Sequence, residues 1–185
     1  MINIPGFNYP KLSLLIILTG ALFYIQAAKV KKQVIKLRVT QTHAYCGGME
    51  PDKELLEELN TPKALPGKKL VVRKGESNNT ALPVVAELTC NGNGVAYCKL
   101  AIGKYCIVDE RKKDESYIKK IYATYKKESQ YNSAANWDCL VDWLKTPDLV
   151  FEVLKKDSIF VSVNYHFPCS WYATPCVRYH GPLPP

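Results

Sequence analysis

Cysteine and histidine are the residues of this sequence with the clearest chemical potential. The chain of 185 residues contains seven cysteines and three histidines. Each histidine lies close to a cysteine, in His43-x2-Cys46, His166-x2-Cys169 and Cys176-x3-His180. Thiolate and imidazole groups are ligands that zinc and copper bind well. None of these spacings is a recognised four-ligand set, so we predict neither a metal site nor a cofactor.

The compartment decides what the cysteines do, and the N-terminus indicates the compartment. An apolar run extends from Leu12 to Ala28, follows Lys11 and has no acidic residue beside it. This layout is typical of a secretory signal peptide, here residues 1–28, cleaved near Ala27 or Ala28. The alternative is an uncleaved anchor, the only expected membrane contact. In both cases residues 29–185 are predicted to be exported to the periplasm or cell envelope.

All seven cysteines are disulfide candidates in such an oxidising compartment. They are Cys46, Cys90, Cys98, Cys106, Cys139, Cys169 and Cys176. Because seven is odd, at least one is expected to stay free or to pair with another chain, and the connectivity remains open. A free thiol acts as a nucleophile only beside a base and an orienting partner, and no local signature indicates such a site.

The composition predicts a folded basic domain without a catalytic function. The chain is 47% hydrophobic and 23% charged, which is ordinary for a globular protein. Its net charge of +8 comes from dispersed lysines and arginines and belongs to no recognised nucleic-acid-binding module, so we expect no nucleic-acid partner. The chain contains no Gly-x-Ser-x-Gly, no phosphate-binding loop and no zinc-protease helix, so we predict that it is not an enzyme.

Alternating apolar and polar residues predict a mainly β fold. The expected strands are Val34–Thr42, Leu70–Arg73, three short strands between Leu82 and Glu110, Leu149–Leu154 and Ile159–Tyr165. Asn91-Gly92-Asn93-Gly94 is predicted to form a hairpin turn, and Ile102-Gly103 a second break. A loop from Gly75 to Thr80 carries the glycosylation pattern Asn78-Asn79-Thr80 and is expected to be exposed.

Two helical segments interrupt these strands. Pro51–Leu59 is predicted to be a short helix with Pro51 at its first position. Residues 111–146 are predicted to be a helical insertion, because apolar residues recur there at helical spacing, and its apolar faces are expected to pack on the sheet. The tail, residues 166–185, is predicted to be irregular and held by its cysteines.

The residues Gly94, Leu100, Gly103 and Tyr105 stand at positions of a known β-strand motif. On these residues the stretch from Val84 to Val108 resembles the carboxypeptidase regulatory-like domains, which are transthyretin-like sandwiches related in layout to Cna-B repeats. The motif's proline is missing, and Cys98 replaces an aromatic residue. The resemblance implies an antiparallel, Ig-like β-sandwich with a short helix after the first strand and the insertion before the last two strands.

A broader pattern covers nearly the whole predicted mature chain. Tyr45–Gly48, Tyr105–Val108, Cys139 with Trp143, Cys169, and Cys176 with the Gly-Pro-Leu-Pro-Pro end are similar to a group of uncharacterised bacterial envelope proteins. That group implies no catalytic residues. Cys90 and Cys98 stand outside its recurrent cysteines and flank the predicted hairpin, so they are a candidate cross-strand pair. Some Cna-B domains contain a Lys–Asn isopeptide bond, for which Lys36 and Asn164 are candidates.

These observations predict a non-catalytic, exported β-sandwich module with a structural or binding role in the cell envelope. The expected partner is an unknown envelope protein or ligand, and the tyrosine- and lysine-rich stretch Tyr117–Tyr131 is its candidate contact surface. The alternative is a small redox or metal-handling envelope protein that uses the cysteine and histidine pairs. The redox and metal state of the purified protein separates the two.

Overall fold

Two four-stranded sheets pack face to face, as the sequence predicts. A computed structural model describes residues 31–155 and 158–183, so the predicted signal peptide lies outside the described residues. Sheet 1 contains β1, β2, β5 and β8, and sheet 2 contains β3, β4, β6 and β7. The strands are β1 (Gln33–His43), β2 (Lys63–Ala64), β3 (Lys69–Lys74), β4 (Ala86–Thr89), β5 (Val95–Leu100), β6 (Gly103–Asp109), β7 (Leu149–Val153) and β8 (Ser158–Phe167).

Three helices accompany the strands: α1 (Lys53–Asn60), α2 (Ser116–Thr124) and α3 (Trp137–Lys145). Helix α1 begins two positions later than predicted, because Asp52 caps it by accepting a hydrogen bond from the Leu55 amide at 2.7 Å. Pro51 therefore precedes the cap. No residue of α1 is buried. Among the described residues, no helix is long and apolar enough to span a membrane.

The main core lies between the inner faces of the two sheets. The alternation in β1 is confirmed, because Ile35, Leu37 and Val39 are all at most 1% exposed. They belong to one cluster with Leu70 and Ile107 of sheet 2. Burying an aliphatic side chain of this size stabilises a fold by about 1.5–3 kcal/mol, so this core dominates the stability of the sandwich.

One strand pairing departs from the predicted antiparallel arrangement. Strand β8 runs parallel to β1, in continuous register from Val34↔Ser158 to His43↔Phe167. On its other side, β1 pairs antiparallel with β5 and β2. Alternation along a strand shows which side chains are buried but not the direction of its neighbour, so the sequence could not reveal the parallel pair.

The predicted hairpin at Asn91–Gly94 is wrong in one respect. The turn is present, since the Asn91 side chain accepts hydrogen bonds from the amides of Asn93 and Val95, both at 3.0 Å. However, the turn carries the chain from β4 in sheet 2 to β5 in sheet 1. Gly94 has φ +69°, and a Cβ there would lie 2.5 Å from the Val39 carbonyl oxygen, so the crossing requires glycine.

The insertion is predicted to pack its apolar faces on the sheet. Instead, its helices α2 and α3, between β6 and β7, form a second core of their own. Ile118 and Ile121 of α2 meet Leu140 and Leu144 of α3, and Val177 of the tail completes this cluster. The tail itself begins later than expected, because β8 continues through Phe167.

The outer face of sheet 2 is covered along its two central strands, whereas Glu87 of β4 and Val150 of β7 are exposed on that face. Val71, Cys106 and Val108 point away from the main core, yet each is at most 1% exposed. The predicted exposed loop contributes to the cover, because Asn78 is 1% exposed and donates to the carbonyl oxygens of Lys112 and Leu144. The asparagine of the glycosylation pattern is therefore buried, which corrects the predicted exposure.

Candidate functional site

The cysteines form two disulfides and leave three free thiols. Cys46 pairs with Cys169 and Cys139 with Cys176, with Cα–Cα distances of 5.6 and 5.8 Å. The first bridge joins the segments that follow the parallel strands β1 and β8, and the second joins α3 to the tail. Cys90, Cys98 and Cys106 are free. The predicted Cys90–Cys98 bridge is wrong, because Cys90 follows β4 of sheet 2 whereas Cys98 lies on β5 of sheet 1, so the two do not face each other in a hairpin.

The free thiols lie in unreactive surroundings. Cys90 and Cys98 belong to the main core or pack against it, and Cys106 is fully buried on the outer side of sheet 2. Burial raises the pKa of all three thiols. Because the thiolate is the nucleophile and metal ligand, this environment opposes both redox chemistry and metal binding at these residues.

The three cysteine–histidine pairs do not assemble a metal site. Cys46, Cys169 and Cys176 are all disulfide-bonded, which removes their thiolates as ligands. Of the histidines, His43 stacks on Phe167 with ring centroids 5.3 Å apart. Within residues 31–155 and 158–183, no three His, Cys, Asp or Glu side chains cluster closely enough to hold a metal ion.

The candidate isopeptide pair is separated along the sheet. In the parallel register, Lys36 lies opposite Phe160, whereas Asn164 lies opposite Thr40. Four residues of strand correspond to about 13 Å, which exceeds the reach of a lysine side chain. The structure therefore excludes a bond between Lys36 and Asn164 in this arrangement.

Two of the tyrosines of the insertion, Tyr117 and Tyr125, pack against the second core. Tyr117 also lies against the Trp143 ring, at 5.7 Å between centroids. Tyr122 is 39% exposed but contacts Trp137 edge-on at 5.2 Å. At the candidate contact surface Tyr117–Tyr131, packing therefore engages Tyr117 and Tyr125, whereas Tyr131 and the lysines of the stretch stay exposed.

A buried charge cluster ties the insertion to both sheets. Lys112 pairs with Asp148 at 2.7 Å, and their side chains are only 7% and 12% exposed. The other carboxylate oxygen of Asp148 accepts from the Asp109 amide at 2.6 Å and from the Tyr165 hydroxyl at 2.7 Å. These contacts bring β6, β8 and the start of the insertion together, so we assign the cluster a structural role.

Asp109 completes this cluster as a stabilised carboxylate. Burial alone would raise its pKa, but hydrogen bonds from Arg111 and Lys68 outweigh that effect and lower the pKa to about 2. Burial and the neighbouring Asp148 carboxylate raise the pKa of Tyr165. Asp109 therefore stays ionised and Tyr165 neutral near pH 7, and neither is poised to transfer protons.

The outer face of sheet 1 differs sharply from that of sheet 2. Tyr97 of β5, Lys36 of β1 and Phe160 of β8 stand in one cross-strand row. Tyr97 is 58% exposed and Phe160 61% exposed. A row across three strands spans about 10 Å. We name this surface the open face and define it by Val34, Lys36, Arg38, Tyr97, Lys99, Phe160 and Ser162.

The open face is positively charged without compensation. Lys36, Arg38 and Lys99 are exposed, and none of them forms an ion pair with a described carboxylate. None of the four strands of sheet 1 contains aspartate or glutamate. Like charges on neighbouring positions of a sheet repel, so an acidic partner would relieve this repulsion.

Sequence reasoning missed the open face, although its signal is visible in retrospect. Lys36 and Arg38 alternate with the buried residues of β1, and Tyr97 and Lys99 occupy alternate positions of β5. Each strand alone shows an ordinary polar side. Only the pairing of β1 with β5 and β8 places Tyr97, Lys36 and Phe160 side by side.

Comparisons with known proteins leave the family open. No protein-family model matches the chain, and no curated protein matches it. Among solved structures, a double mutant of the shaft pilin SpaA of Lactobacillus rhamnosus GG is 14% identical with a TM-score of 0.41, and the match covers 76% of this chain and 53% of that chain.

Two further structures show similarly loose likenesses. The minor pilin GBS52 of Streptococcus agalactiae is 12% identical with a TM-score of 0.36, and the match covers 74% of this chain and 45% of that chain. The Bacillus anthracis TIE protein is 13% identical with a TM-score of 0.33, and the match covers 72% of this chain and 16% of that chain. The chain thus spans about half of these structures or less, and likenesses of this size establish neither family nor function.

Proposed function

We propose that this chain is an exported, non-catalytic β-sandwich module that binds an acidic partner at the cell envelope through its open face. The observation that carries the proposal is the asymmetry of the sandwich. The outer face of sheet 2 is buried along its central strands, at Val71, Cys106 and Val108, whereas the outer face of sheet 1 exposes Tyr97 and Phe160 on either side of Lys36. Exposed aromatic residues beside uncompensated charge are typical of interaction surfaces.

Export is supported by the two disulfides and by the predicted signal peptide. Both bridges join segments distant in sequence, with separations of 123 and 37 residues. Such bonds persist in oxidising compartments and are rare where thiols are kept reduced. Cleavage after residue 28 remains a prediction, which the N-terminal sequence of the purified protein would test.

A relationship to the carboxypeptidase regulatory-like domains is part of the same proposal. The residues that carry the resemblance have structural roles, since Leu100 and Tyr105 are at most 4% exposed. Gly94 and Gly103 have φ values of +69° and +147°, where other residues are strained. These structural roles explain why leucine, tyrosine and glycine occupy those positions. The proposal does not include a covalent bond between Lys36 and Asn164.

The alternative redox or metal function finds less support. It needs accessible thiolates, but four cysteines are bridged and the pKa of each remaining thiol is raised by burial. Thiol titration of the purified protein tests this difference. We expect three thiols after unfolding without reductant and almost none in the native protein, together with no stoichiometric metal. Rapidly reacting native thiols or a bound metal would favour the alternative.

Charge reversal on the open face tests the proposed function. Immobilised mature protein is used to capture partners from an envelope extract, and Lys36→Glu with Arg38→Glu should reduce the capture about fivefold, as exposed charge pairs permit. The matched control is Lys126→Glu with Lys127→Glu, which changes the net charge equally at exposed positions after α2 and should retain the capture. If only the control pair loses the partner, the insertion is the binding surface and the proposal is wrong.

A further inference from the structure

Strand β8 forms an edge of sheet 1. Strand β8 pairs with β1 over ten residues, and no other strand among residues 31–155 and 158–183 pairs with it. An edge of this kind presents a row of backbone donors and acceptors to another strand. It adjoins the open face, because Phe160 and Ser162 belong to both.

The register shows which backbone groups are available. The Phe167 carbonyl oxygen accepts from the Ala44 amide at 2.8 Å, so the backbone groups of Phe167 point towards β1. These groups alternate sides along a strand, so residues 159, 161, 163 and 165 also point towards β1. The amides and carbonyls at Phe160, Ser162 and Asn164 consequently point away from β1 and towards the free edge.

Strand β8 lacks the usual protection of an edge. Natural edge strands carry lysines or other charges, prolines or bulges that prevent further pairing. The sequence of β8, SIFVSVNYHF, contains no Lys, Arg, Asp, Glu or Pro. Its register with β1 is uninterrupted, so it contains no bulge. This strand is therefore ready to accept another strand.

We propose that the free edge of β8 binds an extended, acidic segment of a partner protein by strand addition. The inference rests on the proposed function and specifies its partner. An added strand would lie about 4.8 Å from β8, with every second side chain on the open face. Acidic side chains at those positions would face Lys36 and Arg38, two strands away and within reach of both long side chains.

Charge argues for such a partner rather than for a second copy of this chain. If the β8 strands of two copies paired, their sheets would join into one, and the two open faces would lie side by side. Neither face has an acidic residue in its strands to balance the positive charge of the other. The chain's net charge of +8 adds long-range repulsion between copies. An acidic segment gains from the same field, which also accelerates its association.

The experiment uses a capped heptapeptide of alternating valine and glutamate as the probe and titration calorimetry with the mature protein as the readout. Ser162→Pro removes an outward amide while sparing the bonds to β1, and proline is tolerated at such edge positions. We expect it to weaken binding about tenfold, in keeping with the loss of a hydrogen bond and obstruction of its neighbours. Ser162→Val is the matched control and should bind like the wild type.

Two additional arms separate the edge from the open face. Lys36→Glu with Arg38→Glu should lower the affinity for the acidic peptide about fivefold, as expected for the loss of exposed charge pairs. A peptide of alternating valine and lysine should not bind. If charge reversal weakens binding but Ser162→Pro does not, strand addition is wrong and the open face still binds. If neither change matters, both proposals are wrong.

Hydrogen exchange keeps the test decisive if Ser162→Pro fails to fold. In the wild-type protein, the amides of Phe160, Ser162 and Asn164 should exchange quickly and gain protection when the acidic peptide is added. Those of Val161 and Val163 should already be protected by β1. Slow exchange of the outward amides before peptide addition, or no gain after it, would show that the edge is not the binding site.

Discussion

The buried pair Lys112–Asp148 offers the sharpest test of how the insertion is held to the sandwich. Asp148→Asn removes the charge and keeps the shape, which leaves the Lys112 ammonium buried without a counter-ion. The two side chains are only 7% and 12% exposed, and breaking a pair this deep costs about 3–5 kcal/mol. In the variant, Lys112 keeps its contacts with the Thr146 carbonyl oxygen at 2.9 Å and with the Trp143 ring at 4.8 Å. We therefore expect Asp148→Asn to lower the free energy of unfolding by about 3 kcal/mol, the lower end of that range.

Urea unfolding of the oxidised protein, followed by tryptophan fluorescence, measures this loss. Lys112→Met with Asp148→Asn removes both charges, so the double variant should be at least about 1 kcal/mol more stable than the sum of the single effects predicts. Glu76→Gln is the matched control, because it breaks an exposed pair with Lys104 and should hardly move the midpoint. If Asp148→Asn costs less than about 1 kcal/mol, the pair behaves as a solvated surface pair and our account of the cluster is wrong.

Two further predictions concern the same region. Asn78→Ala should destabilise the protein by about 2 kcal/mol, because it orphans the carbonyls of Lys112 and Leu144, whereas Asn79→Ala at the exposed neighbouring position should have a small effect; equal effects in urea unfolding would contradict the buried role. Asp109 has its pKa lowered from 3.8 to about 2 by folding, so its contribution of about 2 kcal/mol is complete above pH 3.8 and is lost as the pH falls towards 2. Asp109→Asn should flatten that part of the stability profile, and an unchanged acid slope would refute the assignment.

The sandwich was predictable because a strand with one buried face shows an alternating pattern of apolar and polar residues in its own sequence. Ile35, Leu37 and Val39 alternate with exposed residues, and all three are buried. The same alternating pattern predicted β7 and β8 close to their observed bounds. The two-residue strand β2 was missed, because Lys63 and Ala64 are both exposed and carry no pattern.

The chemistry of the cysteines was only partly predictable. Their number and an apolar N-terminus indicate disulfides, but pairing depends on which segments meet in space. Cys46 and Cys169 meet because β1 and β8 run in parallel and end together. Cys90 and Cys98 stay apart because the turn between them crosses from one sheet to the other.

The open face itself shows where the limits of sequence lie. The residue order alone determined that Lys36 and Arg38 are exposed on a strand with a buried opposite side, because that depends on a repeat of two along one segment. The tertiary structure alone decided that Tyr97 and Phe160 flank Lys36, that no described strand follows β8 in the sheet, and that Val71, Cys106 and Val108 of sheet 2 are buried on its outer side. Those facts depend on the register and direction of strands up to 124 residues apart, such as Lys36 and Phe160, and no local pattern encodes them.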